Sequence, residues 1–162
     1  MDTREPAAAT AAAAASPAAT MPLADYLCFA IYSANLAFGK AYKPILDELG
    51  LTYTQYITIV ALSEQDGQTV SGLGDKLFLE SNTLTPILKK LEAMGYLTRQ
   101  RAAADERQVI VRLTEQGQNL RRQAAEGKNL FQACGLSAEE FPAMQKSVVT
   151  LRDNLLKSLP PK

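Results

Sequence analysis

The sequence predicts a mainly α-helical fold with a small β-hairpin, and three observations lead to this prediction. Apolar residues recur at helical spacing toward both ends of the chain. Two short helical segments lie next to each other between Thr69 and Gly95. The period then changes to that of strands in residues 97–101 and 108–113, on either side of a polar loop. Helix, turn, helix and hairpin in this order predict a winged helix-turn-helix, flanked here by long N- and C-terminal dimerisation helices.

Residues 1–20 are expected to form a disordered tail. Residues 7–19 are almost entirely alanine, which buries too little apolar surface to offset the entropy lost on ordering. A signal peptide is disfavoured because Asp2 and Glu5 stand where such peptides need a basic leader. Residues 21–162 have the length of a single domain, and no apolar run approaches a membrane span. We therefore expect a cytoplasmic protein with no membrane partner.

A long helix is predicted over residues 23–49, where apolar side chains recur at alternating three- and four-residue spacings. Gly50 would end it. Pro44 is expected to kink or split it near Lys40, because proline removes one backbone hydrogen bond and crowds the preceding turn. Aromatic side chains occur on more than one face of this helix, so a lone helix would leave them in water. A partner subunit is the expected cover.

Residues 51–113 are predicted to form the winged helix-turn-helix itself. Either Thr52 or Thr54 begins a helix that runs to Leu62 and supports the pair. Residues 78–80 are too few for another element, so they join the two helices of the pair by a tight turn. The inward face of the first helix consists of Val70, Leu73 and Leu77.

The second helix of the pair is expected to begin near Ser81, and its start is ambiguous. Ser81 and Thr83 each carry a hydroxyl that can accept a backbone N–H of the first turn. Pro86 favours the later start, because only first-turn positions lack an internal partner that proline would forfeit. Gly95 supplies a left-handed stop. Five apolar residues line the inward side: Leu84, Ile87, Leu88, Leu91 and Met94.

Two further helices are predicted after the hairpin. Thr114 caps a helix that continues through Ala133 and that Gly135 ends. Ser137 and Glu140 form a capping box for the last helix. The wide apolar face of the last helix consists of Val148, Val149, Leu151, Leu155 and Leu156.

The charges are balanced overall and polarised locally. The chain carries 17 basic and 17 acidic residues, so its net charge is zero. Between Lys89 and Arg112, six basic residues stand against three acidic ones. Such a segment suits a face that meets phosphate, although charged residues on a helix and hairpin are more often only solvated.

The two helical arms, residues 21–50 and 114–162, offer more apolar surface than the small head between them can bury. We therefore expect an intertwined two-fold homodimer whose first and last helices form the interface. Such a dimer would read a pseudo-palindromic operator in double-stranded DNA, with half-sites about 10 bp apart.

The residue types argue against an enzyme. The chain contains no histidine, which excludes serine–histidine and cysteine–histidine nucleophile pairs and the usual imidazole metal sites. Cys28 and Cys134 are too few for a zinc site, and we expect no cofactor. Cys28 is expected about two turns into the first helix, beyond the strongest reach of the helix dipole. By itself such a cysteine is more often a small buried hydrophobe than a reactive thiol.

Three stretches of the chain resemble the MarR family of dimeric transcription regulators. They are LTYTQYITIVAL at 51–62, TVSGLGDKLFLESNTLTPILKKLEAMGYLTRQR at 69–101 and DERQVIVRLTEQG at 105–117. The stretch AYKPILDELGLTYTQY, the hexapeptide SNTLTP and an early cysteine at Cys28 resemble more closely the OhrR branch, which senses organic hydroperoxides. Where that branch commonly has Pro, Gly and Trp, this chain has Thr54, Asn82 and Ser63. Asn82 lies on the expected base-reading face, so the resemblance does not fix the operator sequence.

The resemblance implies a redox role for both cysteines. In OhrR-like proteins the cysteine that matches Cys28 is the peroxide-reactive thiolate, and tyrosines that match Tyr42 and Tyr53 hydrogen-bond it across the dimer. In two-cysteine members, a cysteine in the region of Cys134 of the other subunit captures the sulfenic acid as an intersubunit disulfide. The resemblance therefore implies a repressor that an organic hydroperoxide releases from its operator.

The predicted fold also indicates which residues meet DNA. The second helix of the pair would enter the major groove, with Lys89 and Lys90 toward phosphate. The hairpin tip would place Arg107 in the adjacent minor groove, with Asp105 pairing with its guanidinium to fix its direction. The expected DNA-binding residues are Ser81, Asn82, Thr83, Thr85, Pro86, Lys89, Lys90, Arg99, Arg101, Asp105 and Arg107.

Three other functions are compatible with parts of the sequence. A repressor of the same fold could be released by a small aromatic ligand, with both cysteines structural, and a Cys28→Ser variant would then still respond. A thiol peroxidase that uses Cys28 would need a recycling cysteine motif, which the sequence lacks. A purely structural helical dimer would leave the basic hairpin unexplained.

Overall fold

The computed structural model of the chain describes residues 21–126 and 134–160. Residues up to Leu36 and residues from Ala37 onward form two compact units. The tail expected in residues 1–20 lies outside the described residues. Within the described ranges, no helix is both long enough and apolar enough to cross a membrane.

The first helix starts later than its apolar pattern suggests. Residues Leu23–Asp25 form a single 3₁₀ turn, and Tyr26 is extended, with φ −78° and ψ 118°. Helix α1 (Leu27–Leu49) begins only after this residue. A 3₁₀ turn repeats every three residues, so its side chains have nearly the same spacing as those of an α-helix. Apolar periodicity therefore does not distinguish a 3₁₀ turn from the start of an α-helix. Cys28 is therefore the second residue of α1, and the prediction that it lies two turns into the helix is wrong.

Helix α1 continues through Pro44 as one element. The predicted split near Lys40 is therefore wrong, while a bend there stays a prediction. The helix continues beyond the proline because Leu46 is buried in the core and Leu49 packs against it. Gly50 follows the helix with φ +66°, which confirms the predicted stop.

The remaining elements follow in the predicted order, with one additional strand, β1, that was not predicted. They are α2 (Tyr53–Glu64), β1 (Gln68–Thr69), α3 (Val70–Leu77), α4 (Ser81–Ala93), β2 (Leu97–Arg101), β3 (Val109–Leu113), α5 (Glu115–Glu126) and α6 (Glu140–Lys157). Thr52 rather than Thr54 caps α2. The Gln55 N–H donates to the Thr52 hydroxyl at 3.3 Å, and the Thr52 N–H donates to the Gln55 side-chain oxygen at 2.8 Å. This capping box fixes where α2 begins.

The hairpin belongs to a three-stranded antiparallel sheet in the order β1-β3-β2. Strands β2 and β3 pair along their whole length, with Leu97 opposite Leu113, as predicted for the hairpin. Strand β1 adds to the other side of β3, with Gln68 opposite Val111. A strand of two residues leaves no alternating pattern, which is why the sequence did not indicate it.

A hydrophobic core lies between α2, α3, α4 and the sheet. Its fully buried hydrophobic side chains are Ile59, Leu62, Leu73, Leu84, Leu88, Leu91, Leu97 and Val111. The predicted inward side of α4 is confirmed, since its three leucines are buried and Ile87 and Met94 pack partly buried against the core. Burying one leucine contributes about 1.5–3 kcal/mol. The core therefore holds α4 by one side and leaves the other side to solvent.

A tight turn at residues 78–80 joins α3 to α4. Phe78 has φ +57°, in the left-handed region that costs a non-glycine residue about 1–2 kcal/mol. The Leu79 N–H donates to the Gly74 carbonyl oxygen at 2.9 Å and closes the turn. A Cβ on Gly74 would lie 2.8 Å from the Leu79 carbonyl oxygen, so this approach requires glycine. The turn thereby fixes the angle between the two helices.

Helix α4 begins at Ser81, and neither of the two predicted hydroxyl groups caps it. Glu80 occupies the N-cap position and makes no side-chain cap bond. The chain enters α4 directly from the turn, and the Glu80 carbonyl accepts the N–H groups of Thr83 and Leu84, both at 3.0 Å. The Thr83 N–H, one of the groups that a hydroxyl cap would bind, therefore already has an acceptor. Pro86 is the sixth residue of the helix, so the later start that it favoured is wrong.

The helix boundaries predicted after α4 are confirmed where the structure describes them. Gly95 has φ +80°, and the Thr114 hydroxyl accepts a backbone N–H of the first turn of α5 at 3.1 Å. The Glu140 N–H donates to the Ser137 hydroxyl at 3.2 Å, and the Ser137 N–H donates to Glu140 Oε2 at 2.8 Å. These bonds lower the pKa of Glu140 below its ordinary value. The predicted end at Ala133 lies outside the described residues.

Helices α1 and α6 each present apolar side chains to solvent. No residue of α6 is buried. Its exposed apolar residues are Met144, Val148, Leu155 and Leu156. Those of α1 are Leu27, Ile31, Tyr32, Leu36 and Phe38. Each helix by itself therefore has the surface expected of a dimerisation element.

Candidate nucleic-acid interface and thiol sites

The outward side of α4 is accessible along its length. Six of its predicted DNA-binding residues are exposed: Ser81, Asn82, Thr83, Pro86, Lys89 and Lys90. Thr85 is half-buried. These side chains face outward because the apolar residues of α4 occupy its inward side. An α-helix presented in this way has the dimensions that the major groove of B-DNA admits.

Two hydroxyl groups on this side have fixed directions. Thr85 Oγ1 donates to the Ser81 carbonyl oxygen at 2.6 Å, so it offers its lone pairs outward as acceptors. Thr83 Oγ1 donates to Asn82 Oδ1 at 3.3 Å, so the Asn82 amide offers its N–H groups as donors. Donors and acceptors of this kind read base edges in the major groove.

A groove of about 320 Å³ lies between the start of α3, the start of α4 and the sheet. From the predicted set it brings together Ser81, Thr85, Arg99 and Arg107. It adds three polar residues that sequence reasoning missed: Thr69, Ser71 and Gln108. Thr69 is the N-cap of α3, and its hydroxyl accepts the Gly72 N–H at 3.0 Å. A threonine just before a short amphipathic helix is the sequence signal that could have identified it.

Arg99 is bound to Glu92 within the head. Its Nε and Nη2 donate to Glu92 Oε2 at 2.9 and 2.6 Å, and its backbone N–H donates to Oε1 at 3.0 Å. The side chain of Arg99 is only 24% exposed. The hydrogen bond from Arg99 is the main reason that the pKa of Glu92 lies below its ordinary value. The pair ties β2 to the last turn of α4, and a DNA contact of Arg99 stays a prediction.

Asp105 organises the tip of the hairpin. Its carboxylate accepts the backbone N–H of Arg107 at 3.0 Å and Nε2 of Gln108 at 3.3 Å. The Gln108 backbone N–H donates to the Asp105 carbonyl oxygen at 2.9 Å. The predicted pairing of Asp105 with the Arg107 guanidinium is not formed among the described residues, because the turn itself uses the carboxylate. Arg107 is exposed, and Asp105 acts on its backbone.

The outward basic side chains of the head are not neutralised by neighbours. They are Lys89, Lys90, Arg101 and Arg107, all exposed. In the part of the chain that the structure describes, the ion pairs of the head use other cations instead: Lys76 with Glu64, Arg99 with Glu92 and Arg112 with Asp66, at 2.8, 2.6 and 3.6 Å. Exposed cations of this kind attract the phosphates of a nucleic acid.

Cys28 lies in the first unit beside a shallow apolar pocket of about 310 Å³. The other lining residues are Leu23, Tyr26, Phe29 and Tyr32. The ring centroids of Phe29 and Tyr32 are 6.4 Å apart. Cys28 is exposed and lies in the first turn of α1, near the positive end of the helix dipole. An accessible thiol with apolar neighbours suits an apolar reactant.

Tyr42 and Tyr53 contact each other in the second unit. Their ring centroids are 5.2 Å apart, and Tyr56 lies 6.2 Å from Tyr42. Burial, followed by the charges of Tyr53, Tyr56 and the half-buried Cys134, raises the pKa of Tyr42. The Tyr42 phenol therefore keeps its proton as a hydrogen-bond donor, while donation to a Cys28 thiolate stays a prediction. Within the described ranges, no group of three or more acidic or cysteine side chains is placed to hold a metal ion.

Comparison with known proteins matches the chain to transcription regulators. A family model described as transcriptional regulator SarA/Rot matches residues 40–123. This range contains the whole winged unit and all the predicted DNA-binding residues. The organic hydroperoxide resistance transcriptional regulator of Bacillus subtilis strain 168 is 38% identical over 136 residues. The matched region covers 83% of this chain and 92% of that relative.

Two similar solved structures are forms of AbfR, a protein of Staphylococcus epidermidis. Reduced AbfR bound to DNA is 35% identical, with a TM-score of 0.69 over 83% of this chain and 94% of that chain. Disulfide-formed AbfR is 35% identical, with a TM-score of 0.59 over 83% of this chain and 90% of that chain. At this coverage the likeness extends well beyond the winged unit.

Proposed function

We propose a function from the premise that this chain belongs to the MarR family of winged-helix transcription regulators, as its SarA/Rot match and its Bacillus subtilis relative establish. The chain is a DNA-binding regulator and not an enzyme. The function proposed is that of a homodimeric cytoplasmic repressor that senses organic hydroperoxides through Cys28. Oxidised Cys28 is captured by Cys134 of the partner subunit, and the disulfide releases the operator.

One observation carries the DNA-binding part of the proposal. The exposed side of α4 and the Arg107 side chain border the same groove, on a head whose core holds α4 by its other side. A helix and a hairpin arranged in this way can enter a major groove and the minor groove beside it, respectively. Arms formed by residues 21–50 and 114–162 would pair two heads on successive half-sites about 10 bp apart.

The redox part of the proposal rests on the accessibility and surroundings of Cys28. Its thiolate sulfur attacks an oxygen of the hydroperoxide, the O–O bond breaks, and a sulfenic acid remains on the sulfur. The leaving alkoxide takes a proton from water and departs as the alcohol. The Cys134 sulfur of the partner subunit then attacks this sulfenic sulfur, a disulfide forms, and water leaves. The two thiols together lose two electrons, which the hydroperoxide accepts. The apolar pocket beside Cys28 supports alkyl hydroperoxides over hydrogen peroxide as the reactant.

Release of DNA follows from the geometry that a disulfide demands. The two Cα atoms of a disulfide lie about 4.4–6.8 Å apart, so cysteines that start farther apart are joined only if backbone moves. Movement of the helical arms re-aims one head relative to the other. Two heads that no longer match successive grooves lose their joint hold on the operator. The existence of a DNA-bound reduced form and a disulfide form of AbfR supports this order of events.

The experiment is fluorescence anisotropy of the reduced protein on DNA from upstream of its own gene, before and after about one equivalent of an alkyl hydroperoxide. The wild type should bind, release on oxidation and rebind after a dithiol. Cys28→Ser should bind and stay bound. Non-reducing electrophoresis should show a crosslinked dimer for the wild type and none for Cys134→Ser.

Two outcomes would overturn the redox proposal, and a third would overturn its cysteine pairing. A Cys28→Ser protein that still releases on peroxide would remove Cys28 as the sensor. Binding that is indifferent to peroxide but sensitive to a small aromatic acid would instead establish a ligand-released repressor with structural cysteines. A Cys134→Ser protein that still crosslinks through Cys28 would exclude the proposed pairing.

A further inference from the structure

The last helix contacts the turn of the helix-turn-helix at one specific place. The Arg152 guanidinium carbon lies 4.6 Å from the centroid of the Phe78 ring. This is the distance of a cation–π contact, in which a cation is attracted by the negative face of an aromatic ring. Arg152 belongs to α6, and Phe78 is the first residue of the turn between α3 and α4.

Arg152 is held in the orientation that the contact needs, whereas Phe78 has little other support. Arg152 donates from Nε and Nη2 to Asp153 Oδ1 at 2.9 and 2.7 Å, which directs the guanidinium plane. Phe78 is 58% exposed and adopts the left-handed backbone conformation. A large aromatic residue in a strained, exposed turn position is stabilised neither by its backbone nor by burial. The Arg152 cation supplies a specific interaction for the outward face of this ring.

The contact also joins two parts of the molecule that the core does not connect. No residue of α6 is buried, so side-chain contacts rather than a packed core set its position against the head. The capping box of the last helix begins at Ser137, three residues after Cys134, and the helix itself begins at Glu140. From Glu140 to Arg152 the helix spans about 18 Å at 1.5 Å per residue. A single stiff element therefore leads from the neighbourhood of Cys134 to the turn that carries α4.

We propose that Arg152 and Phe78 are positioning residues for operator binding, which hold the turn between α3 and α4 against α6. The contact orders the turn in the reduced protein, and a displacement of α6 is transmitted to α4 through it. The second statement rests on the proposed redox function, whereas the first does not.

The first test measures the turn directly by hydrogen–deuterium exchange of the reduced full-length protein. The variants are Arg152→Gln, Phe78→Leu, the double variant, and Arg152→Lys, which keeps a cation. Lys146→Gln is the matched control, because it removes one positive charge from the same helix. Peptides that contain the Phe78 and Leu79 amides should exchange about two- to fivefold faster in Arg152→Gln and in Phe78→Leu, the range expected for an exposed cation–π contact. The double variant should be no faster than the single ones, and Arg152→Lys should lie close to the wild type.

The second test measures operator affinity for the same variants. Reduced Arg152→Gln should bind the operator about two- to fivefold more weakly than reduced Lys146→Gln. The ratio of operator affinity in the reduced protein to that in the oxidised protein should be smaller in Arg152→Gln by a similar factor. Unchanged exchange at the turn in Arg152→Gln, or additive effects in the double variant, would overturn the contact. A normal affinity ratio together with faster exchange would overturn the transmission. A wild-type protein that peroxide does not release would refute the proposed redox function and leave the exchange experiment to decide the contact.

Discussion

Two arginines of the hairpin, Arg99 and Arg107, differ in their surroundings, since one is bound to a carboxylate and the other is exposed. Arg99 donates three hydrogen bonds to Glu92 and thereby holds β2 to α4. Arg107 is exposed and has its backbone held by Asp105. The first side chain is committed within the fold, and the second is available to a partner. Substitution of Arg99 is therefore expected to affect stability, and substitution of Arg107 is expected to affect binding.

Arg107→Ala is expected to weaken operator binding by about 1–3 kcal/mol, because the proposed function places this cation in a narrow minor groove. Fluorescence anisotropy at several salt concentrations measures both the affinity and its salt dependence. Lys146→Ala, a charge removed outside the head, is the control and should change the affinity little. An Arg107→Ala protein with wild-type affinity at moderate salt would place Arg107 outside the interface.

Glu92→Gln is expected to lower stability at neutral pH by about 1 kcal/mol, because it weakens a charged pair that is only partly screened by solvent. The pKa of Glu92 is lowered in the folded chain, chiefly by its hydrogen bond with Arg99, from an ordinary value of 4.5. The contribution is therefore present above about pH 4.5 and is lost as the pH falls through the lower folded-state pKa. Urea unfolding at a series of pH values measures it.

Glu64→Gln is the matched control for Glu92, since Glu64 forms an exposed pair with Lys76 at 2.8 Å. The hydrogen bond and charge of Lys76 likewise lower the pKa of Glu64. Exposed pairs are well screened, so the loss of stability should be much smaller there. Equal losses at the two positions would show that the Glu92 pair has no special structural role.

At the scale of elements, the head depends on one close approach of α5 to the residue before β2. The backbone of Gly117 in α5 lies so near the Tyr96 carbonyl oxygen that an added Cβ would overlap it. The Thr114 N–H donates to the same carbonyl oxygen at 3.1 Å, and the Thr114 hydroxyl donates to the Gly95 carbonyl oxygen at 2.7 Å. These contacts join the end of α4, the sheet and the start of the C-terminal arm.

Gly117→Ala is expected to destabilise the protein by about 1–3 kcal/mol, because backbone rather than a flexible side chain must move to admit the methyl group. Gly39→Ala is the control, since a Cβ at that helical position meets nothing within 4 Å. It should be neutral or stabilising by up to about 1 kcal/mol. Thermal unfolding at one fixed protein concentration compares the two. Similar melting temperatures for both variants would contradict the close approach.

At the scale of the whole molecule, the apolar side chains on α6 are the strongest indication of a dimer. Leu155 is 59% exposed in the single chain, and Val148 and Leu156 are also exposed. Burying a leucine contributes about 1.5–3 kcal/mol, and several such residues can drive association. Under the proposed function, operator binding by two heads depends on this interface.

Leu155→Glu is therefore expected to give a folded monomer at micromolar concentration and to abolish tight operator binding. Sedimentation equilibrium measures the mass, and circular dichroism checks that the helices persist. Thr150→Glu adds the same charge to α6 at an exposed polar position and should remain dimeric. A Leu155→Glu protein that stays dimeric would place the interface elsewhere.

The sequence by itself determined the order of the elements, the inward side of α4 and several helix boundaries, including Thr114 and the Ser137–Glu140 box. It did so because apolar periodicity, glycine stops and capping side chains act within a few residues of one another. It also identified the solvent-exposed side of α4, since that side is what remains when the apolar side is assigned to the core.

Only the tertiary structure decided the features that depend on distant partners. Strand β1 exists because Gln68 meets Val111, and the Leu113 N–H donates to the Asp66 carboxylate across 47 residues. Arg99 turns to Glu92, and Arg152 meets Phe78, through contacts that no local pattern encodes. The start of α1 at Leu27 is a local exception, because the extended Tyr26 interrupts the helix without interrupting the apolar spacing. The other features follow from where the folded chain brings its segments, which short-range periodicity does not contain.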